Sequence, residues 1–167
     1  MAKKRSFTWS EAVAWRKELA SSGKRVVFTN GVFDILHAGH VDLLEKCRAE
    51  GDALIVGLNS DVSTRRIKGD NRPIVPEGDR AAILLGLRAV DAVVLFDEET
   101  PAKLIDSLLP DVLIKGGDYS PDQVVGRESV EKAGGHLVIL PLVEGRSTTG
   151  VVETVLARYC DKLREGR

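Results

Sequence analysis

Cysteine is scarce in this chain: Cys47 and Cys160 are the only two among 167 residues. They form no Cys-x-x-Cys pair and no metal-ligand spacing. That argues against a disulfide framework and for two reduced, buried thiols of a cytoplasmic protein. Aromatic residues make up only 5%. Neither sign of charge dominates, the formal net charge being -1. No global field therefore favours nucleic acid or an anionic membrane, and neither is an expected partner. No apolar run is long enough to span a bilayer. The N-terminus, "MAKKRSFTWSEAVAW", starts basic but lacks the apolar segment of a signal peptide. Repeats and low-complexity tracts are missing too. Histidine is also sparse, with three residues, yet two of them, His37 and His40, sit almost together.

What is present is 43% hydrophobic and 29% charged, enough for one compact domain over residues 1–167. A first helix is expected over Ser10–Gly23, packed on that domain, with Ser10 as cap and Gly23 as stop. Strand-like runs follow at "RVVFTN", "ALIVGLN", "DAVVLF", "DVLIKGG" and "HLVILPL". Helical patterns alternate with them: His37–Gly51, Glu77–Val90, a short one at Thr100–Pro110, a weaker one in Pro121–Gly135, and a closing one over Ser147–Gly166. The stretch Ser60–Pro76 is polar and reads as a long loop, and such loops are more often functional than accidental. The strands are near-continuous Val/Ile/Leu runs rather than alternating ones. The expectation is an α/β fold: a Rossmann-like doubly wound parallel sheet of about five strands with helices on both faces. Ligands of such sheets bind beyond the carboxyl ends of the strands.

Four segments just after strands carry chemistry. In "HAGH", His37 and His40 share a face of a helix start, and Gly39 gives a ligand close backbone access. Phosphate oxygens suit that turn; a plain capping histidine pair is the alternative, and zinc lacks further ligands. In "GRSTTG", Ser147 or Thr148 caps a helix and Arg146 adds a forked anion donor. In "RRIKGD", Lys68 belongs either to a solvated charge run or to a mobile loop that carries a cation onto a phosphate. In "KGGDYS", paired glycines allow a turn, or a flat base lying on bare backbone beside Asp118 or Tyr119. Asp34 orients its turn, caps a helix or faces a second substrate.

"GVFDILHAGH" and "GRSTTG" resemble the two hallmarks of the cytidylyltransferase-like nucleotidyltransferase superfamily. The wider set "FTNGVFDILHAGH", "VGLNSD", "KGDNRPIVP", "PDVLIKGGDY", "VVGRESVEKAGG" and "RSTT" is similar to its heptose 1-phosphate adenylyltransferase branch, which serves lipopolysaccharide core synthesis. The resemblance runs from about Gly23 to the last helix. It implies AMP transfer from ATP to a heptose 1-phosphate, with Mg²⁺ carried mainly by the ATP phosphates and no dedicated protein metal site. His37, His40, Lys68 and Arg146 would be catalytic. Thr29, Asn30, Gly31, Phe33 and Gly39 would form the nucleotide floor, Lys115, Gly117, Asp118 and Tyr119 the base and ribose site, and Ser147, Thr148 and Thr149 the phosphate turn. Asp34, Asn59 and Asp61 would face the sugar phosphate. The resemblance also implies a stand-alone form with its heptose kinase on another chain, and a homodimer. Rival readings are a CTP-dependent transferase of glycerol 3-phosphate, a metal-dependent hydrolase, and a non-catalytic nucleotide-binding module.

Overall fold

The structure, a computed structural model, describes residues 5–141, 143 and 145–165. Among the described residues there are six strands: β1 (Arg5–Phe7), β2 (Val26–Gly31), β3 (Ala53–Asn59), β4 (Ala92–Phe96), β5 (Val112–Gly116) and β6 (His136–Leu140). All pair in parallel, in the order β1-β4-β3-β2-β5-β6. The expectation of about five strands is corrected by β1. Its three residues carry no apolar run, and pairing of Arg5–Phe7 with Ala92–Val94 makes the strand.

The central strands are apolar on both sides because helices cover both sides. One face sets Val27, Leu54, Val56, Val93 and Ile114 against α2 (Ala38–Ala49) and α4 (Glu77–Gly86), through Leu43, Leu44, Cys47, Ala81 and Leu84. The other sets Val26, Phe28, Ile55, Val94 and Leu113 against α1 (Trp9–Ser21), α5 (Ala102–Leu108) and α6 (Arg127–Lys132). Each fully buried Val, Ile or Leu contributes roughly 1.5–3 kcal/mol. Thr8 caps α1, not Ser10, in a reciprocal box with Glu11. Trp9 Nε1 donates to Leu95 O at 2.8 Å and Arg16 pairs with Asp111 at 2.8 Å, fixing α1 to the sheet.

Two further expectations change. The polar stretch after β3 is not all loop: Asp61–Lys68 forms α3. Ser60 caps it by accepting from Ser63 N, and Ser63 Oγ accepts from Asn59 Nδ2 and donates to Glu98 O. A buried polar network, not an apolar stripe, seats this helix. Cys47 is fully buried, but Cys160, on α7 (Thr148–Glu165), is only partly so. The expected element ends at Leu142 and Gly166, and the basic residues before Arg5, lie outside the described residues.

Chain order reverses around β2: β3 and β4 lie on one side of it, β5 and β6 on the other. In such sheets a ligand crevice opens at that reversal, beyond the strand ends.

Candidate active site

A cleft of about 580 Å³ occupies this position. Of the residues expected to form the site, Asn30, Gly31, Phe33, Asp34, His37, Gly39, His40, Asn59, Lys68, Lys115, Tyr119, Arg146, Ser147, Thr148 and Thr149 line it. Thr29, Asp61, Gly117 and Asp118 do not.

The turn after β2 builds its first wall. His37 is the N-cap of α2, in extended backbone at φ -141°, and His40 N donates to His37 O at 2.9 Å. This brings the two imidazoles face to face, 3.8 Å between centroids and 20° apart in tilt. Phe33 meets His40 edge-on at 5.3 Å. Phe33 itself stands at φ +45°, a conformation unusual for a bulky residue. Its ring lies over Gly31, where a Cβ would come within 2.9 Å of Phe33 Cε2. Both Nδ1 atoms are buried and have no hydrogen-bond partner among the described residues. Two cationic rings at this spacing would repel strongly. Burial and the neighbouring His37 push His40 down to about 4. Burial and Arg146 lower His37 as well. At neutral pH the free site holds two uncharged imidazoles.

The second wall comes from the far end of the chain. Ser147 caps α7 by accepting from Gly150 N at 3.0 Å. Thr148 Oγ1 donates to Ile35 O at 3.3 Å, tying this turn to the first. A Cβ built on Gly39 would lie 3.1 Å from Arg146 Cβ, so the two turns are in contact. The N-termini of α2 and α7 thus open on one cavity, with free N–H groups and positive dipole ends.

The third wall is held from behind. Asp34 is 2% exposed. It accepts from Arg72 Nε, Ile74 N and Val75 N. Burial alone would raise its carboxyl, but these bonds from Val75, Ile74 and Arg72 hold it below the usual carboxylate range. The role of Asp34 is therefore to anchor the segment 72–75; its oxygens are already taken, which argues against the expected substrate contact. Arg80, on α4 and 1% exposed, fills the space below. It donates to Val32 O (2.6 Å), Asn59 O (2.9 Å) and Val75 O (2.9 Å), and pairs with Asp61 at 2.7 Å. Asp61 is thereby withdrawn from the cleft. Lys68 lines the cleft from the last turn of α3 rather than from a loop.

Thr29 is also corrected. Strand alternation turns it to the α2 face, where it hydrogen-bonds the Cys47 thiol, which burial pushes up to about 12. Gly117, at φ +125°, donates its N–H to Leu140 O, and Asp118 is exposed beyond it. Reading the sequence missed Arg72, Arg80, Glu99, Thr100 and Gln123. Of these, all but Arg80 line the cleft. "NRPIVP" and "GDRAA" carry no local signal for the two arginines, whose partners lie far away in sequence. Among the described residues, no three His, Cys, Asp or Glu side chains gather as a metal site.

A parallel sheet, a His-x-Gly-His turn at its reversal point and a hydroxyl-rich helix start facing it define a nucleotide-binding α/β protein. Comparison narrows this. Residues 28–139 match the family model described as cytidylyltransferase-like. The chain is 57% identical over 137 residues to the bifunctional protein HldE of Syntrophotalea carbinolica, a match covering 82% of this chain and 28% of that relative. It is 30% identical, with TM-score 0.60, to the crystal structure of the lipopolysaccharide core biosynthesis protein from Thermoplasma volcanium, covering 74% of this chain and all of that one. Pantoate-β-alanine ligase from Francisella tularensis, solved with β-γ ATP and β-alanine, shares the fold at 16% identity and TM-score 0.61. The chain belongs to the cytidylyltransferase-like family of nucleotidyltransferases. It spans only 28% of the length of the bifunctional relative.

Proposed function

We propose that this chain transfers AMP from MgATP to a heptose 1-phosphate, giving ADP-heptose and pyrophosphate for lipopolysaccharide core or related glycan synthesis. The observation that carries the reading is the meeting of His37, His40 and the turn Arg146–Thr149 in one cleft. The close HldE relative and the lipopolysaccharide core protein support the substrate class.

A phosphate monoester is already largely ionised near neutral pH, so the acceptor needs no general base and the enzyme no covalent nucleophile. An acceptor oxygen attacks the α-phosphorus in line. The bond from that phosphorus to the bridging oxygen breaks, and pyrophosphate leaves with the electron pair. Catalysis then rests on alignment and on donors aimed at the developing charge. The imidazoles supply N–H donors to the triphosphate. A neutral imidazole already carries one N–H donor, so neither ring needs an added proton to contact a phosphate oxygen. Ser147, Thr148, Thr149 and the α7 start hold the β/γ-phosphates, with Arg146 beside them. Lys68 reaches the same phosphates from α3. Asn30, Gly31 and Phe33 form the floor, and Tyr119 flanks the base and ribose.

Mg²⁺ carried by the nucleotide would neutralise phosphate charge. A kinase that makes the sugar phosphate, and pairing of this chain with itself, belong to the same reading. The exposed apolar residues Val155, Leu156 and Tyr159 on α7 support the pairing.

The test is a pyrophosphate-release panel crossing ATP and CTP with heptose 1-phosphate and glycerol 3-phosphate. Release with ATP and heptose phosphate alone is expected. Release with CTP and glycerol phosphate transfers the reading to the sister activity. Tight ATP binding without release under any acceptor leaves a non-catalytic module.

A further inference from the structure

The cleft has two halves, one above each face of the sheet. The stacked histidines belong to the α2 face, because Phe33, which packs on His40, is part of that core. Lys115 belongs to the other. It stands two residues after Leu113, whose side chain is in the core under α5 and α6, so alternation turns Lys115 the same way. Asn30 shares that side with Phe28, and Asn59 with Ile55. Thr100 and Glu99, just before α5, complete this half. It is lined by amide, hydroxyl and carboxylate groups and by one strand-borne ammonium.

That ammonium is short of partners. Lys115 makes no ion pair with any described carboxylate. Its nearest polar contact is Asn30 Oδ1 at 3.4 Å, and the Tyr119 ring lies 5.4 Å away. A half-buried ammonium without a counter-charge carries a desolvation cost, and burial lowers its affinity for the proton. Such a group is retained where a ligand supplies the anion. The triphosphate already has the donors of the other half: two imidazoles, Arg146 and two helix N-termini. The remaining anion in the reaction is the acceptor.

We propose that Lys115 anchors the phosphate of the acceptor sugar phosphate, with Glu99 and Thr100 facing the sugar hydroxyls. This rests on the adenylyl-transfer reading, and it moves Lys115 from the expected base and ribose site to the acceptor's half of the cleft. Lys115 serves as a positioning cation: it holds the acceptor phosphate while one of its oxygens bonds the α-phosphorus and pyrophosphate departs. No proton leaves the ammonium. The sugar is read by groups of the α5 face, and the nucleotide phosphates by groups of the α2 face.

Equilibrium binding separates the two halves without needing turnover. Heptose 1-phosphate and the magnesium complex of a non-hydrolysable ATP analogue are titrated separately into wild type, Lys115→Met and Lys115→Arg, with thermal unfolding as the control for fold. A charge-assisted contact of this kind corresponds to a loss of about 10–100-fold on truncation. Lys115→Met is expected to lose that much affinity for the sugar phosphate and to bind the ATP analogue within about threefold of wild type. Lys115→Arg, which keeps the charge, is expected to retain most of the sugar-phosphate affinity. Equal loss for the ATP analogue, unchanged sugar-phosphate binding, or no sugar-phosphate binding by wild type each overturns the assignment. Lys115-dependent binding without pyrophosphate release would sink adenylyl transfer while leaving the anchor in place. Release with an unchanged acceptor KM in Lys115→Met would do the reverse.

Discussion

Gly39→Ala probes the contact on which the site depends. A methyl group there would meet Arg146 Cβ at 3.1 Å, His37 Nδ1 at 3.2 Å and His37 Cε1 at 3.3 Å. All three are tighter than ordinary packing, and none is impossible. Gly39 lies in the first turn of α2, so alanine gains about 1 kcal/mol of helix propensity. Overpacking costs roughly 1–3 kcal/mol. The net loss of stability is therefore about 0–2 kcal/mol, a Tm shift of at most about 8 °C for a chain of this size. Activity has no such offset. His37 and Arg146 must each give by a few tenths of an ångström. Since a misplacement of about 1 Å can cost about a hundredfold, kcat/KM for pyrophosphate release should fall about tenfold. Paired measurements settle the point: initial rates at varied MgATP, and a urea melt of the same preparation. Wild-type kcat/KM alongside wild-type stability would mean that the two turns do not act on one triphosphate.

Two further outcomes follow from buried groups. Arg80→Met should cost about 3–5 kcal/mol in urea unfolding, because it strands three carbonyls and the Asp61 carboxylate; a loss under about 1 kcal/mol would contradict the bracing role. Between pH 7 and 5, stability of the unliganded protein should fall as the solution is acidified. His40 binds its proton near 6.5 when unfolded but only at about 4 when folded, so the unfolded state takes up more protons across this window. The urea midpoint should carry that slope in wild type and lose part of it in His40→Gln, and an identical slope in both would refute the assignment.

Much of the site was legible because it lies in short motifs at strand ends. "HAGH" and "GRSTTG" could each be read locally, and the parallel-sheet pattern said that both ends point the same way. What escaped depended on side-chain direction or on distant partners. Thr29 and Asn30 are neighbours, yet alternation sends Thr29 into the core beside Cys47 and Asn30 to the cleft. Asp61 was indistinguishable from a substrate ligand until Arg80, on the next helix, was seen to hold it. The helix over Asp61–Lys68 hid because its buried residues are Ser63 and Thr64 rather than an apolar stripe. Arg5–Phe7 hid because three residues carry no period.

The grip of Arg80 on Val32, Asn59 and Val75 is a grip on peptide oxygens. Every amino acid has that oxygen, so the side chains at 32 and 75 can drift without loosening the rim. Position 80 has no comparable freedom, since its guanidinium spans two loops, the end of β3 and the carboxylate beyond them. Side chains around the rim are therefore free to vary while one internal strut keeps the three segments in register.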